Sequence, residues 1–359
     1  MTTIRPAPIS ELGKLRHDLY NLLESMADHP QGELIARALR ILVQVSQQET
    51  ERLDWKLIAG ALHDMQKAIK VFHPYRHIRK VTIFGSARSA PGDPEYEQAV
   101  QFARCITELG FMVLTGAGGG IMAAGNEGAG ADRSFGLNID LPFEQTANEF
   151  IRDSERLVNF RYFFTRKLFF LREADAIALF PGGFGTQDEC FECLTLCQTG
   201  RATPRPLVLI DKPDGDYWVK WDEYMQRYLE ERGFISAGDR RLYTITNDIP
   251  TACQVISKFY SIYHSSRWVD KTFVIRLNCE ISDAHLTRLN AEFADILTDG
   301  EITRSPALPK EFKDIEILHL PRLVMNFNQV SYSRLNDLIW AINSVAEEPE
   351  LSHLTPERK

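Results

Sequence analysis

Over the first 79 residues the apolar positions recur at intervals of three and four, the spacing that gathers side chains onto one stripe of a helix. Leu12, Leu15, Leu19, Leu22 and Leu23 form one such stripe, which Asp28-His29-Pro30 interrupts. A second helix is predicted through Leu34, Ala38, Ile41, Leu42 and Val45, and a third from Trp55 to Val71, closed by His73-Pro74. Neither strands nor chemistry are read in this segment.

From residue 80 the period changes. Short apolar runs, each followed by a helical stretch, are predicted as strands at Val81-Thr-Ile-Phe-Gly85, Phe111-Met-Val-Leu-Thr115, Ser134 to Asp140, Ala176 to Phe180, Pro206 to Ile210 and Leu242 to Thr246. Strands alternating with helices predict a parallel, doubly wound sheet, an α/β Rossmann-like fold. Beyond about 270 the order becomes strand (273–277), helix (283–297), two strands (near 301–308 and 315–327) and helix (332–345). That βαββα order predicts a small α+β domain of ferredoxin-like or ACT-like type. The chain is therefore divided into a helical N-terminal region (1–79), a Rossmann-like domain (80–262), a small α+β domain (263–346) and a polar tail (347–359) expected to be disordered.

Composition narrows the function classes. The 359 residues are 44% hydrophobic and 25% charged, with 41 Lys+Arg against 49 Asp+Glu for a net charge of −8. This is a soluble, globular mixture, and its acidity argues against binding nucleic acid through the phosphate backbone. No apolar run is long enough for a membrane helix, and the N-terminus lacks the apolar stretch of a signal peptide. The six cysteines, scattered without an export signal, suggest reduced thiols and a cytoplasmic location. Cys190, Cys193 and Cys197 have helical spacing, but no complementary Cys/His pair follows, so they read as small buried residues on one helix face and no metal is expected.

In an open parallel sheet, ligands bind outside the carboxyl ends of the strands. The loops there carry Gly85-Ser-Ala-Arg88, Thr115-Gly-Ala-Gly-Gly-Gly-Ile-Met122 and Pro181-Gly-Gly-Phe-Gly-Thr-Gln-Asp-Glu189. Glycine turns that open helices present backbone N–H groups to an anion, so a phosphorylated ligand is indicated. Gly118-Gly-Gly120-Ile-Met-Ala123, with Asp140 about twenty residues on, also fits a dinucleotide fingerprint. That fingerprint belongs on the first strand, whereas here it follows the second, and the third loop ends in Thr186 and Glu189, which have no evident role in hydride transfer.

Pro181-Gly-Gly-Phe-Gly-Thr186-x-x-Glu189, Arg166-Lys167, Thr115-Gly-x-Gly-x-Gly-Ile-Met122 and Asn138-Ile-Asp-Leu-Pro-Phe-Glu-Gln145 with Asn148 together resemble the LOG ("Lonely guy") family. Its members are phosphoribohydrolases of nucleoside 5′-monophosphates, often labelled lysine decarboxylases. The resemblance covers roughly residues 78–260, and the terminal regions look like those of longer bacterial members. It implies Arg166 and Glu189 as catalytic residues, the glutamate serving the oxocarbenium-like ribose or its attacking water. Glu189 is expected in the first turn of its helix. Gly182, Gly183, Gly185 and Thr186 are expected to cradle the 5′-phosphate. Gly118, Gly119 and Gly120 would line the ribose-phosphate side, with Ser86, Arg88 and Lys167 as further substrate contacts. Phe160, Tyr162, Phe163, Phe164, Phe169 and Phe170 read mainly as a packing face. The chain departs from the family in having Ala117 and Gly119 where Gly and Pro are frequent.

The resemblance implies hydrolysis to free base and ribose 5-phosphate, without cofactor, by a homodimer or larger homo-oligomer. A small effector at the C-terminal domain is a further expectation from the architecture. The alternative is a non-catalytic carrier of a nucleotide or of a pterin such as molybdenum cofactor. The sequence does not select the base.

Overall fold

The computed structural model describes residues 17–18, 21, 29–140 and 146–344. Most of the first predicted helix, the polar tail and residues 141–145 of the 138–145 motif lie outside the described residues. The chain divides into two compact units, residues 1–62 and 63–359.

Helix α1 (Gly32–Ser46) and helix α2 (Arg52–Phe72) fall where the apolar stripes predict them. Leu34, Ile41, Leu53 and Leu57 remain exposed on them.

Strands β1 (Lys80–Phe84), β2 (Met112–Thr115), β3 (Ser134–Ile139), β4 (Leu157–Phe160), β5 (Ala176–Leu179), β6 (Leu207–Ile210) and β7 (Thr244–Thr246) form one sheet in the order β4-β3-β2-β1-β5-β6-β7. Every pairing is parallel. Helices α3 (Pro94–Glu108), α4 (Ile121–Ala129), α5 (Phe163–Glu173), α6 (Phe184–Gln198), α7 (Tyr217–Met225) and α8 (Ile249–Phe259) connect them. The five inner strands are buried on both faces, as parallel sheets require. Val81 and Ile83 of β1 join one hydrophobic cluster with residues of α3, α4 and α8, whereas Phe84 joins a second with residues of α2, α5, α6 and α7. The sequence predicts six of these seven strands. It misses β4, four residues at the sheet edge between Arg156 and Arg161, with no glycine turn to mark it.

The C-terminal region forms a separate four-stranded antiparallel sheet from β8 (Tyr263–Val269), β9 (Thr272–Leu277), β10 (Leu297–Ser305) and β11 (Arg322–Phe327), in the order β10-β11-β9-β8. Helices α9 (Asp283–Glu292) and α10 (Tyr332–Asn343) complete it. Strands β9, β10 and β11 with their two helices reproduce the predicted βαββα order. The unpredicted β8 pairs with β9 as a hairpin and takes the edge that a terminal strand fills in a ferredoxin-like sheet. The predicted helix over 283–297 is shorter: it ends at Glu292, and Leu297 already belongs to β10. The cluster holding Val81 and Ile83 continues through Phe273, Leu323, Leu338 and Ile342, so the two sheets share one core.

Candidate active site

From β1 the chain builds β2, β3 and β4 to one side and β5, β6 and β7 to the other. The connections therefore diverge between β1 and β5, and such a switch point opens a crevice at the carboxyl ends. A cavity of about 780 Å³ lies there. Its wall includes nine of the predicted residues: Ser86, Arg88, Arg166, Lys167, Gly182, Gly183, Gly185, Thr186 and Glu189.

Gly118, Gly119 and Gly120 do not line it. Gly120 instead serves the approach of two loops: its φ is +63°, and a side-chain carbon there would overlap the backbone of Ser86 and Ala87. Backbone bonds lace three loops together, with Ile121 N–H donating to Ser86 O (2.9 Å) and Ser86 N–H donating to Pro181 O (3.0 Å). The departure at Ala117 preserves the glycine-like backbone, with φ of +62°. Its N–H donates to Thr115 Oγ1 (3.1 Å), and its carbonyl accepts from Asn148 N–H (2.8 Å). Asn126 Oδ1 joins the two by accepting from Thr115 Oγ1 and Asn148 Nδ2.

The third loop opens helix α6 with Gly183 as its first flanking residue. No side chain caps that end, so its N–H groups stay available to an anion. Gly182 has no room for a methyl group: a side-chain carbon would overlap Thr186 Oγ1 and stand 2.9 Å from Ser86 N. Tyr217 Oη donates to Gly182 O (2.6 Å) and accepts from Gln187 Nε2 (2.7 Å), while Trp221 Nε1 donates to Gln187 Oε1 (2.9 Å). This relay, absent from the sequence reading, fixes the loop from behind. Phe184 projects from the same loop almost wholly exposed (96%).

Glu189 is the sixth residue of α6, so it lies past the first turn, contrary to expectation, and a first-turn interaction with the helix dipole does not explain it. Its side chain is 13% exposed, and Oε2 has no hydrogen-bond partner among the described residues. Burial, opposed by Lys167 and assisted by Glu192 and Asp188, pushes its carboxyl up to about 7. Lys167 Nζ lies 2.8 Å from Asp188, 3.5 Å from Glu189 and 2.7 Å from Glu192. Burial works against its charge, but the hydrogen bonds to Asp188 and Glu192 outweigh it and raise its pKa above the ordinary lysine value. Its ammonium therefore serves carboxylates, one of them Glu189.

Arg166 lies one residue before Lys167 on α5. Its Nε donates to Leu137 O (2.7 Å) and its Nη2 to Gly116 O (3.2 Å), tying it to the ends of β3 and β2. Burial draws its pKa down to about 10, partly opposed by the attraction of Glu189, so it remains cationic at neutral pH. The neighbouring aromatics divide: Phe160, Phe169 and Phe170 are buried, whereas Phe163, on the cavity wall, and Phe164 are exposed.

One contributor comes from the segment in which the sequence showed no chemistry. Asp64, buried on α2, accepts from the N–H groups of Arg161 (3.0 Å) and Tyr162 (3.2 Å) and from Thr165 Oγ1 (2.8 Å). It thereby fixes the entry to α5 and hence the position of Arg166. Asp64→Ala leaves these donors without their acceptor and is expected to cost about 2 kcal/mol or more, read from urea unfolding.

Cys190 and Cys193 pack in the second core cluster, where burial pushes the Cys190 thiol up to about 12. No described helix is long and apolar enough to cross a membrane.

The architecture and loops define a Rossmann-like domain with an uncapped, glycine-rich helix end and a buried carboxylate at its switch point. Residues 119–256 match the family profile described as "Possible lysine decarboxylase". A cytokinin riboside 5′-monophosphate phosphoribohydrolase of Arabidopsis thaliana is 25% identical over 183 residues, covering 50% of this chain and 84% of that protein. A second such enzyme of the same plant is 34% identical over 103 residues, covering 28% of this chain and 45% of that protein. The molybdenum cofactor binding protein of Rippkaea orientalis superposes with a TM-score of 0.37 at 16% identity, covering 50% of this chain and 95% of that one. The matched residues lie within the α/β domain and include Arg166, the third loop and Glu189.

Proposed function

We propose that the chain hydrolyses the N-glycosidic bond of a nucleoside 5′-monophosphate to free base and ribose 5-phosphate. The observation that carries this reading is Glu189, a buried carboxyl with one unpartnered oxygen beside a helix-end cradle. Gly182, Gly183, Gly185 and Thr186 hold the 5′-phosphate through N–H groups and one hydroxyl. Ionised Glu189 stabilises the cationic ribose and takes a proton from the attacking water. The water oxygen bonds to C1′, the glycosidic bond breaks, and a proton ends on the departing base. Arg166 orients the nucleotide by its fixed guanidinium.

Lys167 is the only lysine among the cavity-lining residues. Its amine is held protonated by three carboxylates, the wrong state for the Schiff base that a pyridoxal-dependent decarboxylase requires. We read the protein as a homodimer in which Phe163, Phe164 and Leu168, all exposed, offer an apolar surface.

Incubation with AMP, CMP, GMP and UMP, followed by chromatography, is expected to release free base from at least one of them. Binding without cleavage of any would overturn the hydrolase reading in favour of a carrier. The acidic limb of kcat/KM is expected near pH 7, where Glu189 ionises. Lys167→Met removes the charge that favours the carboxylate and is expected to move that limb upward. An unmoved limb would assign it to another group.

A further inference from the structure

A second cavity, of about 550 Å³, lies at the opposite end of the parallel sheet, among residues that precede its strands. Arg79 and Asp175 stand immediately before β1 and β5, and Arg172 and Glu173 end α5. Residues 263–266 of β8 and Arg276 of β9 close it from the antiparallel sheet. None of these has a part in the proposed hydrolysis.

Four guanidiniums line this cavity (Arg76, Arg79, Arg172 and Arg276) against three carboxylates (Glu173, Asp175 and Glu316), an excess of one positive charge in an acidic protein. Two arginines are committed elsewhere. Arg79 donates to Asp175 (3.1 Å) and to His264 O (3.0 Å) over the ring of Tyr260, and Arg276 donates to buried Glu311 through Nε (3.0 Å). The other two are held loosely. Arg76 and its partner Glu316 are 60% and 63% exposed, and Arg172, 53% exposed, pairs with its chain neighbour Glu173. The Arg76–Glu316 pair, exposed on both sides, contributes little, so an anion of higher charge displaces it readily, and the exposed Arg172 guanidinium keeps N–H groups to offer beyond buried Glu173. Behind them the buried Nε of Arg79 has no acceptor among the described residues, whereas buried donors are as a rule hydrogen-bonded. Planar guanidiniums match the paired oxygens of phosphates and carboxylates, and the volume is that of a small-molecule site.

We propose that this cavity binds a small oxyanion carrying two or more negative charges, gripped by Arg76 and Arg172 at the rim, with Arg79 as a donor behind them. The inference holds whether or not the switch-point cavity hydrolyses nucleotides.

Calorimetric titration of the full chain with inorganic pyrophosphate in metal-free buffer tests it. Binding is expected in the wild type and in Gly182→Ala, whose glycine cradle is obstructed. It should weaken at least tenfold in the Arg76→Gln/Arg172→Gln double variant, whose substituted side chains are half-exposed and leave the core intact. A circular dichroism melt matching the wild type verifies the fold of that variant. Absence of binding overturns the proposal. So does binding that survives the double substitution but disappears in Gly182→Ala, which would place the anion in the nucleotide cradle.

Discussion

Glu189→Gln is expected to lower nucleotide turnover by about 10³-fold while making the folded protein more stable above pH 7. The loss follows from the role proposed for Glu189, taking the proton and facing the developing ribose charge, a contribution of roughly 10² to 10⁴ in positioned acid–base catalysis. The gain follows from where the carboxyl titrates. In the folded chain it is pushed from 4.5 up to about 7, so folding favours its protonated form. Relative to glutamine, wild-type Glu189 costs nothing below its unfolded pKa. As pH rises from about 4.5 through 7, the folded state must increasingly bury a charge that the unfolded chain ionises freely. A shift of roughly 2.5 units corresponds to about 3 kcal/mol at pH 8. Urea unfolding of both proteins at pH 4 and pH 8 checks this, and equal stability at pH 8 would contradict the placement of Glu189. An inactive variant that is also a more stable one separates a chemical role from a structural role.

Gly182→Ala is expected to reduce kcat/KM by about 10²-fold or more. The added methyl overlaps Thr186 Oγ1 and crowds Ser86 N, so the loop must move away from β1 or Thr186 must leave the helix end. Either shift displaces the donors proposed for the phosphate on the scale at which misplacement by about 1 Å costs two orders of magnitude. Steady-state kinetics should show the loss, whereas substitution at Gly183, whose side-chain position is open, should be tolerated far better. Equal losses at the two glycines would argue for a general need for flexibility instead of a shaped cradle.

The parallel sheet was legible because its inner strands are buried on both faces and therefore read as apolar runs, with glycines marking where several of them turn into helices. Leu157–Phe160 escaped because an edge strand needs only one good neighbour and carries no such mark. Tyr263–Val269 escaped because its polar centre, His264-Ser-Ser-Arg267, hides a strand whose pairing partner lies across a tight hairpin. The site divides along the same line. The glycine loop and Glu189 are local motifs, visible at any reading. Asp64 is invisible because its partners stand about a hundred residues away. Sequence places Lys167 among the substrate contacts but does not reveal that Asp188, Glu189 and Glu192 converge on its ammonium. The three central glycines of the second loop looked like a ligand contact. Gly120 meets the neighbouring loop instead, a use of small size that sequence alone cannot distinguish from ligand approach.

Helix α5 carries Arg166 at one cavity and Arg172 at the other, six residues apart and thus about 9 Å along one rigid axis. A ligand holding either arginine fixes the same strut. Thermodynamic reciprocity then applies: the factor by which an anion at Arg172 alters nucleotide affinity at Arg166 equals the factor by which the nucleotide alters anion affinity. Two titrations performed in opposite order should therefore close the same cycle. Any influence of an occupant at the far end of the sheet on the switch-point cavity would appear with equal size in both titrations.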